Sequence, residues 1–577
     1  MSDSDSDHED FVAGEYNPEL AGKLKDEGNA LHGKGKYRDA YKKYTEAISH
    51  DPKNAILWAN RAATSIAMKE YFDACYDSRK AIKCDPNYTK AYARLGAAAK
   101  ATNSFIISIE AWKEGLATLP PAGQLDEGQK RLRDQLKAGL IETERTQKAR
   151  ASIPNDRIHS FPVGPETDTK LPWLRAEEML EELFETKNST SSAWVIMTPL
   201  PAWKAGLAKL EKVEEHRENG QVTYSGEVSA LQDFVNALCR DIRIFHCTPD
   251  FFGKITKQFG LEYQAYGAWS GGAKTVQEAA LVRLKASGWK ATGPALEITV
   301  RAWVLQAFLA NSSGERKGAH QLYRQALDVI EWGAKEFKDV AKEDRCYVFD
   351  PVFARNVRQL WMGTVMELCK IGGHDYTYDD LEKIARGIIE DVDENPQHEL
   401  LSAQGHHDYG AYLAWWTYPK AEAYSVIGWC HLQRAGKARN EDRKEEYYDK
   451  AFEAYMKSAD LFPEDDEHHV YFLEVALNTR WLTKAPLKET LPICKRIRIA
   501  MPKMMRIWEF SAMSKRRDPP LQVALEYEAD AQKVLYNALA ALEQSFDPAS
   551  IKDFLAQFER PPMSSKSSKS KKKKGRN

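Results

Sequence analysis

The chain has 577 residues, of which 29% are charged and 43% hydrophobic, with a formal net charge of −2. That length allows several domains of roughly 100–200 residues each, and the charge balance excludes both a uniformly basic nucleic-acid binder and a wholly disordered chain. The near-neutral sum hides opposite ends: Asp3, Asp5, Asp7, Glu9 and Asp10 at the start, Lys566, Lys569, Lys571 to Lys574 and Arg576 at the finish. No run approaches the ~18 apolar residues of a membrane span, and the acidic start is unlike a secretory signal. The eight cysteines are scattered without a C-x-x-C pair. They read as reduced core thiols in a cytoplasmic protein, a nuclear location being left open, rather than as a disulfide framework or zinc site.

Residues 1–14 form an acidic tail expected to be disordered, its Ser2, Ser4 and Ser6 set among aspartates in an acidophilic-kinase pattern. Over 15–150 a 34-residue period appears, marked by Pro52, Pro86 and Pro120. In rows starting at Ala21, Ala55 and Thr89, position 8 is Gly28, Ala62 and Gly96; position 20 is Ala40, Ala74 and Ser108; position 27 is Ala47, Ala81 and Gly115. Position 17 is aromatic in every row: Tyr37, Tyr71 and Phe105. Small residues let two antiparallel helices approach, the ring fills space beside them, and the proline closes the second helix. Each row is thus a helical hairpin that buries its face only by stacking on its neighbours. This pattern resembles the tetratricopeptide repeat. Ser78 departs from it, standing where a bulky residue is expected, and Gly115 costs ~1 kcal/mol against alanine inside a helix. Leu125, Leu132, Leu136 and Leu140 fit one stripe of a capping helix after the third row.

In such an array the first helix of each hairpin lines the concave face. Those helices carry Lys25 and Asn29, then Asn60, then Lys90 and Arg94. Lys25/Asn29 and Lys90/Arg94 are i,i+4 pairs, so each pair shares a helix face. A groove of three cations and two amides without acidic partners suits an anion of several oxygens, above all a pair of carboxylates. The plain alternative is a solvated helix face, but Asn29 and Asn60 are poor helix formers in mid-helix. The set resembles the two-carboxylate clamp of the Hop/Sti family of co-chaperones, matching all five positions. The resemblance implies that Lys25, Asn29, Asn60 and Lys90 hold the two carboxylates of the final aspartate in a C-terminal Glu-Glu-Val-Asp peptide of seventy- or ninety-kilodalton heat-shock chaperones. By the same resemblance, Arg94 supports the peptide nearby.

Residues 151–170, rich in proline and polar residues, read as a linker. In 171–294, a helical or mixed region, Leu174, Met179, Leu180, Leu183 and Phe184 suggest a short amphipathic helix, and Ala193–Thr198 and Gln221–Tyr224 suggest short strands. Degenerate hairpins return over 295–545. From Val300 as position 1 come Trp303, Ala307, Ala319, Tyr323 and Ala326; from Ala421 come Tyr424 and Gly428, then Ala451, Tyr455, Ser458 and Pro463 after an insertion. The charged run Lys437–Glu446 is read as that longer turn. Leu360, Trp361, Val365 and Leu368, followed by Leu381, Ile384 and Ile388, predict another helix pair. Adjacent Trp415 and Trp416 cannot share one helix face, so one is expected at a surface or an inter-helix contact. None of these helices repeats the Lys/Asn pattern. A short helix is expected over 546–563, opened by Asp547-Pro548, and a disordered basic tail over 564–577. That tail reads as a nuclear-import signal, a contact to RNA or an acidic partner, or a solubilising tail.

Other chemistry is set aside. Gly267–Thr275 superficially resembles a phosphate loop, but Ala273 separates Gly272 from Lys274 and no strand-like run precedes it. His398, His406, His407 and Asp408 lack metal-ligand spacing, and the neighbours His246 and Cys247 read as a buried pair rather than a nucleophile and base. The sequence therefore predicts an all-α, non-enzymatic adaptor that uses no cofactor or metal. The alternatives are an enzyme with an unfamiliar site in 170–295 and an RNA- or ribosome-associated scaffold anchored by the basic tail.

Overall fold

The computed structural model describes residues 15–151, 170–218, 221–248, 250–342, 344–372, 376–396 and 408–543. The acidic start, residues 152–169 of the linker, His398, His406, His407, the helix at 546–563 and the basic tail lie outside these residues.

Each 34-residue row folds as two antiparallel helices: α1 (Pro18–Gly33) with α2 (Tyr37–His50), α3 (Ala55–Ala67) with α4 (Tyr71–Cys84), and α5 (Thr89–Ala101) with α6 (Phe105–Ala117). Asn17 opens α1 by accepting the Leu20 amide at 2.9 Å, with Pro18 where its missing N–H has no helical partner to lose. The turn inside each hairpin is left-handed at position 15: Gly35 at φ 73°, Lys69 at 64° and Asn103 at 61°. Glycine adopts this freely, and the side chain of Lys69 does so against steric cost.

The small residues at position 8 seat the large rings of the second helix. A Cβ on Gly28 would lie 2.7 Å from the Tyr44 ring, and one on Gly96 would lie 2.6 Å from Trp112. Gly115 has the same logic: a Cβ there would meet Tyr92 at 2.9 Å and Leu136 at 3.0 Å. Its helix-propensity cost therefore admits α7 (Glu127–Ala151), which caps the array and receives the Trp112 indole N–H on Thr143 Oγ1 at 3.2 Å. Leu125 is buried in the turn before α7 rather than on the helix itself. Row two has Ala62 and Ser78 where its neighbours have glycine and a ring. It buries Arg61, which donates to both carboxylate oxygens of Asp77 at 3.0 and 2.8 Å beneath the Tyr41 and Trp58 rings.

Beyond the linker come α8 (Pro172–Glu177), α9 (Leu180–Glu185), α10 (Ser192–Met197), α11 (Leu200–Leu210), a hairpin of β1 (Glu214–Glu218) and β2 (Gln221–Ser225), α12 (Ala230–Leu238) and α13 (Phe251–Tyr266). The hairpin pairs antiparallel with Glu214 opposite Ser225. Ala193–Thr198 is not the strand expected from its apolar run. Ser191 accepts the Ala193 amide and opens α10, whose Ala193 to Ile196 are all buried, and a short run buried on every side has no period that separates strand from helix.

The second array follows: α14 (Ala273–Ser312, broken at Gly288), α15 (Arg316–Glu336), α16 (Pro351–Ile371), α17 (Tyr378–Glu394), α18 (Tyr418–Lys437), α19 (Glu441–Leu461), α20 (Glu467–Leu482), α21 (Leu487–Trp508) and α22 (Ser514–Glu543). It reuses the first array's devices. Gly314, at position 15 of the Val300 row, has φ 84°, and Gly428 would place a Cβ 3.0 Å from the Tyr455 ring. The charged run is mostly helix rather than turn. Asn440 caps α19 through the Arg443 amide at 2.9 Å, and Glu446 pairs with Lys450 one turn on, so the insertion extends a solvated helix. Trp416 is buried and Trp415 half-buried on a π-helical turn, Leu413–Thr417.

Residues 171–294 do not stand apart from this array, because one hydrophobic core runs from Leu171 to Ala524. Arg243 ties its ends together. Its guanidinium stacks on Trp508 at 3.8 Å and pairs with Asp241 at 2.7 Å and Asp466 at 3.0 Å. His246 belongs to the same packing, stacked on Trp173 at 4.7 Å. Of the eight cysteines, Cys84 is exposed and so is not a core thiol.

Candidate peptide-binding groove

Helices α1, α3 and α5 pack side by side and carry the five predicted residues. The two asparagines meet: Asn60 Nδ2 donates to Asn29 Oδ1 at 3.2 Å, and the Tyr44 hydroxyl donates to the same oxygen at 2.8 Å. With its oxygen engaged twice, the Asn29 amide is oriented to offer its NH2 outward. His32 Nδ1 and Thr64 Oγ1, 3.0 Å apart, cross-link α1 and α3 one turn further along, and Thr64 donates to the Asn60 carbonyl at 2.9 Å.

Arg94 approaches this cluster from α5. Burial lowers its pKa, with the Tyr88 and Tyr44 phenols opposing, and its Nη1 is buried without a hydrogen-bond partner among the described residues. The guanidinium is felt on α1, where burial first and Arg94 second hold the His32 imidazole below its ordinary range. Lys90 lies exposed one turn before Arg94. Lys25, at the other wall, has Asp26 at 3.6 Å. Among the described residues no carboxylate pairs with Lys90 or Arg94. The structure therefore joins Asn29, Asn60 and the field of Arg94 directly, and leaves Lys25 and Lys90 on the flanking helix faces. Lys90 and Arg94, without carboxylate partners among the described residues, and the oriented Asn29 amide are donors of the kind that an anion with several acceptors satisfies.

Sequence reasoning missed Tyr44, His32 and Thr64. The Tyr44 ring is seated on Gly28, and its hydroxyl's reach to Asn29 crosses from α2 to α1, a contact that the repeat pattern does not specify.

A cavity of about 680 Å³ lies elsewhere, between α12, α14 and α16, with Arg240, Glu297, Arg301, Cys239 and Cys346 among its walls. Burial pushes Cys239 up to about 12 and raises Cys346 as well, so both thiols stay protonated at neutral pH. No helix of the described residues is long and apolar enough to cross a membrane.

No family model matches the chain. Over 77 residues it is 48% identical to the small glutamine-rich tetratricopeptide repeat-containing protein of Dictyostelium discoideum, covering 13% of this chain and 23% of that one. Over 187 residues it is 30% identical to the Hsp70-Hsp90 organizing protein of Triticum aestivum, covering 30% of each. The chain thus spans less than a third of the length of either curated relative. Among solved structures, the Sgt2 tetratricopeptide domain from Aspergillus fumigatus is 31% identical, with 26% of this chain and 92% of that chain covered and a TM-score of 0.21. The first tetratricopeptide domain of Spaghetti, bound to an HSP90 peptide, is 26% identical, with 23% and 97% covered and a TM-score of 0.21. The N-terminal helical hairpins of the chain are thus similar to segments of small glutamine-rich tetratricopeptide repeat-containing proteins and of Hsp70-Hsp90 organizing proteins.

Proposed function

We propose that the chain is a non-enzymatic adaptor that holds the acidic C-terminal peptide of seventy- or ninety-kilodalton heat-shock chaperones in the groove of its first array. The observation that carries this reading is the convergence of Asn29 and Asn60 beside the unpaired guanidinium of Arg94. Lys25, Asn29, Asn60 and Lys90 take the main-chain and side-chain carboxylates of the final aspartate, and Arg94 takes an acceptor just upstream. Relatives named for organising Hsp70 and Hsp90 support the choice of partner. The second array, without the Lys/Asn pattern, engages a client or another assembly.

Charge-assisted hydrogen bonds contribute roughly 1.5–3 kcal/mol each. Several of them, less the entropy of ordering a short tail, leave about −8 kcal/mol, or micromolar affinity. Binding weakens with salt, because the groove is cationic. The test is calorimetric titration of the full chain with a Glu-Glu-Val-Asp-terminated peptide. The Lys90→Ala/Arg94→Ala variant should lose binding while retaining helicity, and wild-type affinity in that variant would dismiss the clamp.

A further inference from the structure

The two arrays meet where α4 abuts the N-terminus of α14, the segment that superficially resembles a phosphate loop. A carboxylate from the first array, Asp73, meets the start of this helix. Asp73 is fully buried and accepts the Thr275 amide at 2.9 Å and hydroxyl at 2.6 Å, both on Oδ1. Its Oδ2 is buried without a hydrogen-bond partner among the described residues, and a Cβ on Gly272 would lie 2.4 Å from it.

The groups around this contact come from every helix packed on it. Asp77 lies on α4 and Glu70 just before it. From α3, Arg61 pairs with Asp77 at 2.8 Å and reaches Glu278 of α14 at 3.6 Å. Lys274 of α14 lies 3.5 Å from Glu70 and over the Tyr41 ring of α2. On α15, Gln325 donates to Glu70 at 3.5 Å, and Asp328 is paired with Arg324 at 2.7 Å. Arg61 is engaged by Asp77 and Glu278 and Lys274 by Glu70, and among the described residues no cation pairs with Asp73. An ionised Asp73 would therefore lack a counter-ion and leave one oxygen neither solvated nor hydrogen-bonded.

We propose that the joint between the two arrays is a proton-controlled latch, closed while Asp73 carries a proton and loosened as Asp73 and Glu278 ionise. Burial pushes Asp73 up to about 6 against the two Thr275 hydrogen bonds, with Asp77 and Glu70 adding to the rise. Burial likewise pushes Glu278 up to about 7 against the pull of Arg61. With 39% of its side chain exposed, Glu278 is screened by water, and Asp73 dominates. The sign follows from linkage. The closed joint keeps a proton that the open joint has already lost, so closure is strongest at acidic pH and weakens as pH rises through about 6. A carboxyl moving from 3.8 open to about 6 closed shifts the closing equilibrium about tenfold between pH 5 and pH 8.

Hydrogen exchange of the full chain, read by mass spectrometry and corrected for intrinsic amide rates, tests this. Protection of residues 271–278 should fall about tenfold from pH 5 to pH 8, while α20 keeps its protection. Asp73→Asn preserves an acceptor for Thr275 and places a donor at the second position, so its profile should be flat; Glu278→Gln should only make the fall shallower. A wild-type profile without pH dependence overturns the latch, as does an Asp73→Asn variant with the wild-type profile. If that variant loses helicity, the wild-type series decides alone.

Discussion

Arg94→Ala separates a binding residue from a structural one. In the free protein Arg94 makes no hydrogen bond among the described residues, and its half-buried guanidinium bears a desolvation cost with no carboxylate to offset it. Truncation therefore removes no native polar partner, and stability should stay within about 1 kcal/mol of wild type. Binding of an acidic C-terminal peptide should lose one charge-assisted hydrogen bond, about 1.5–3 kcal/mol, a rise in Kd of roughly 10- to 150-fold. A third readout follows from electrostatics. Burial first and Arg94 second depress His32, so the variant should raise the His32 pKa toward its ordinary value. Calorimetry, thermal denaturation and NMR titration of His32 read the three effects on one protein. Destabilisation of the 3–5 kcal/mol seen when a buried pair is broken, with peptide affinity unchanged, would show that Arg94 holds the fold instead.

Other substitutions probe the supports. Tyr44→Phe removes the 2.8 Å hydrogen bond that orients Asn29; peptide affinity should drop by about 0.5–1.5 kcal/mol by calorimetry, with the circular dichroism spectrum preserved. Arg61→Met leaves Asp77 buried without its cation; denaturation should show a loss of about 3–5 kcal/mol, and an unchanged midpoint would mean the pair is dispensable. Although burial opposes it, Arg243 and His468 hold Asp466 well below the ordinary carboxylate range. Its contribution is therefore present above that range and lost as pH falls, so Asp466→Asn should destabilise the C-terminal core at neutral pH and flatten its acid unfolding profile.

The first array was legible because its constraints are local and repeat every 34 residues. Gly28 and Gly96, Pro52 and Pro86, and the aromatic at position 17 each follow from how two helices fit in one hairpin, and so does Gly428 in the second array. The groove's five residues were legible for the same reason, lying on the first helix of each row. What stayed hidden depends on contacts between distant segments. Nothing in the repeat marks Asp73, because its partner Thr275 is some two hundred positions away. The unity of 171–294 with the second array rests on Arg243 meeting Asp466 and Trp508, which no periodicity encodes. Ala193–Ile196 misled because burial on all sides erases the pattern that separates strand from helix.

The central claim is that the first array recognises a terminal carboxylate, not merely an acidic segment. Calorimetry with two versions of one Glu-Glu-Val-Asp-terminated peptide, one with a free C-terminus and one amidated, tests this most directly. The free acid should bind with micromolar affinity and the amide at least about tenfold more weakly, since a charge-assisted contact is lost. Equal affinities for the two would contradict the account.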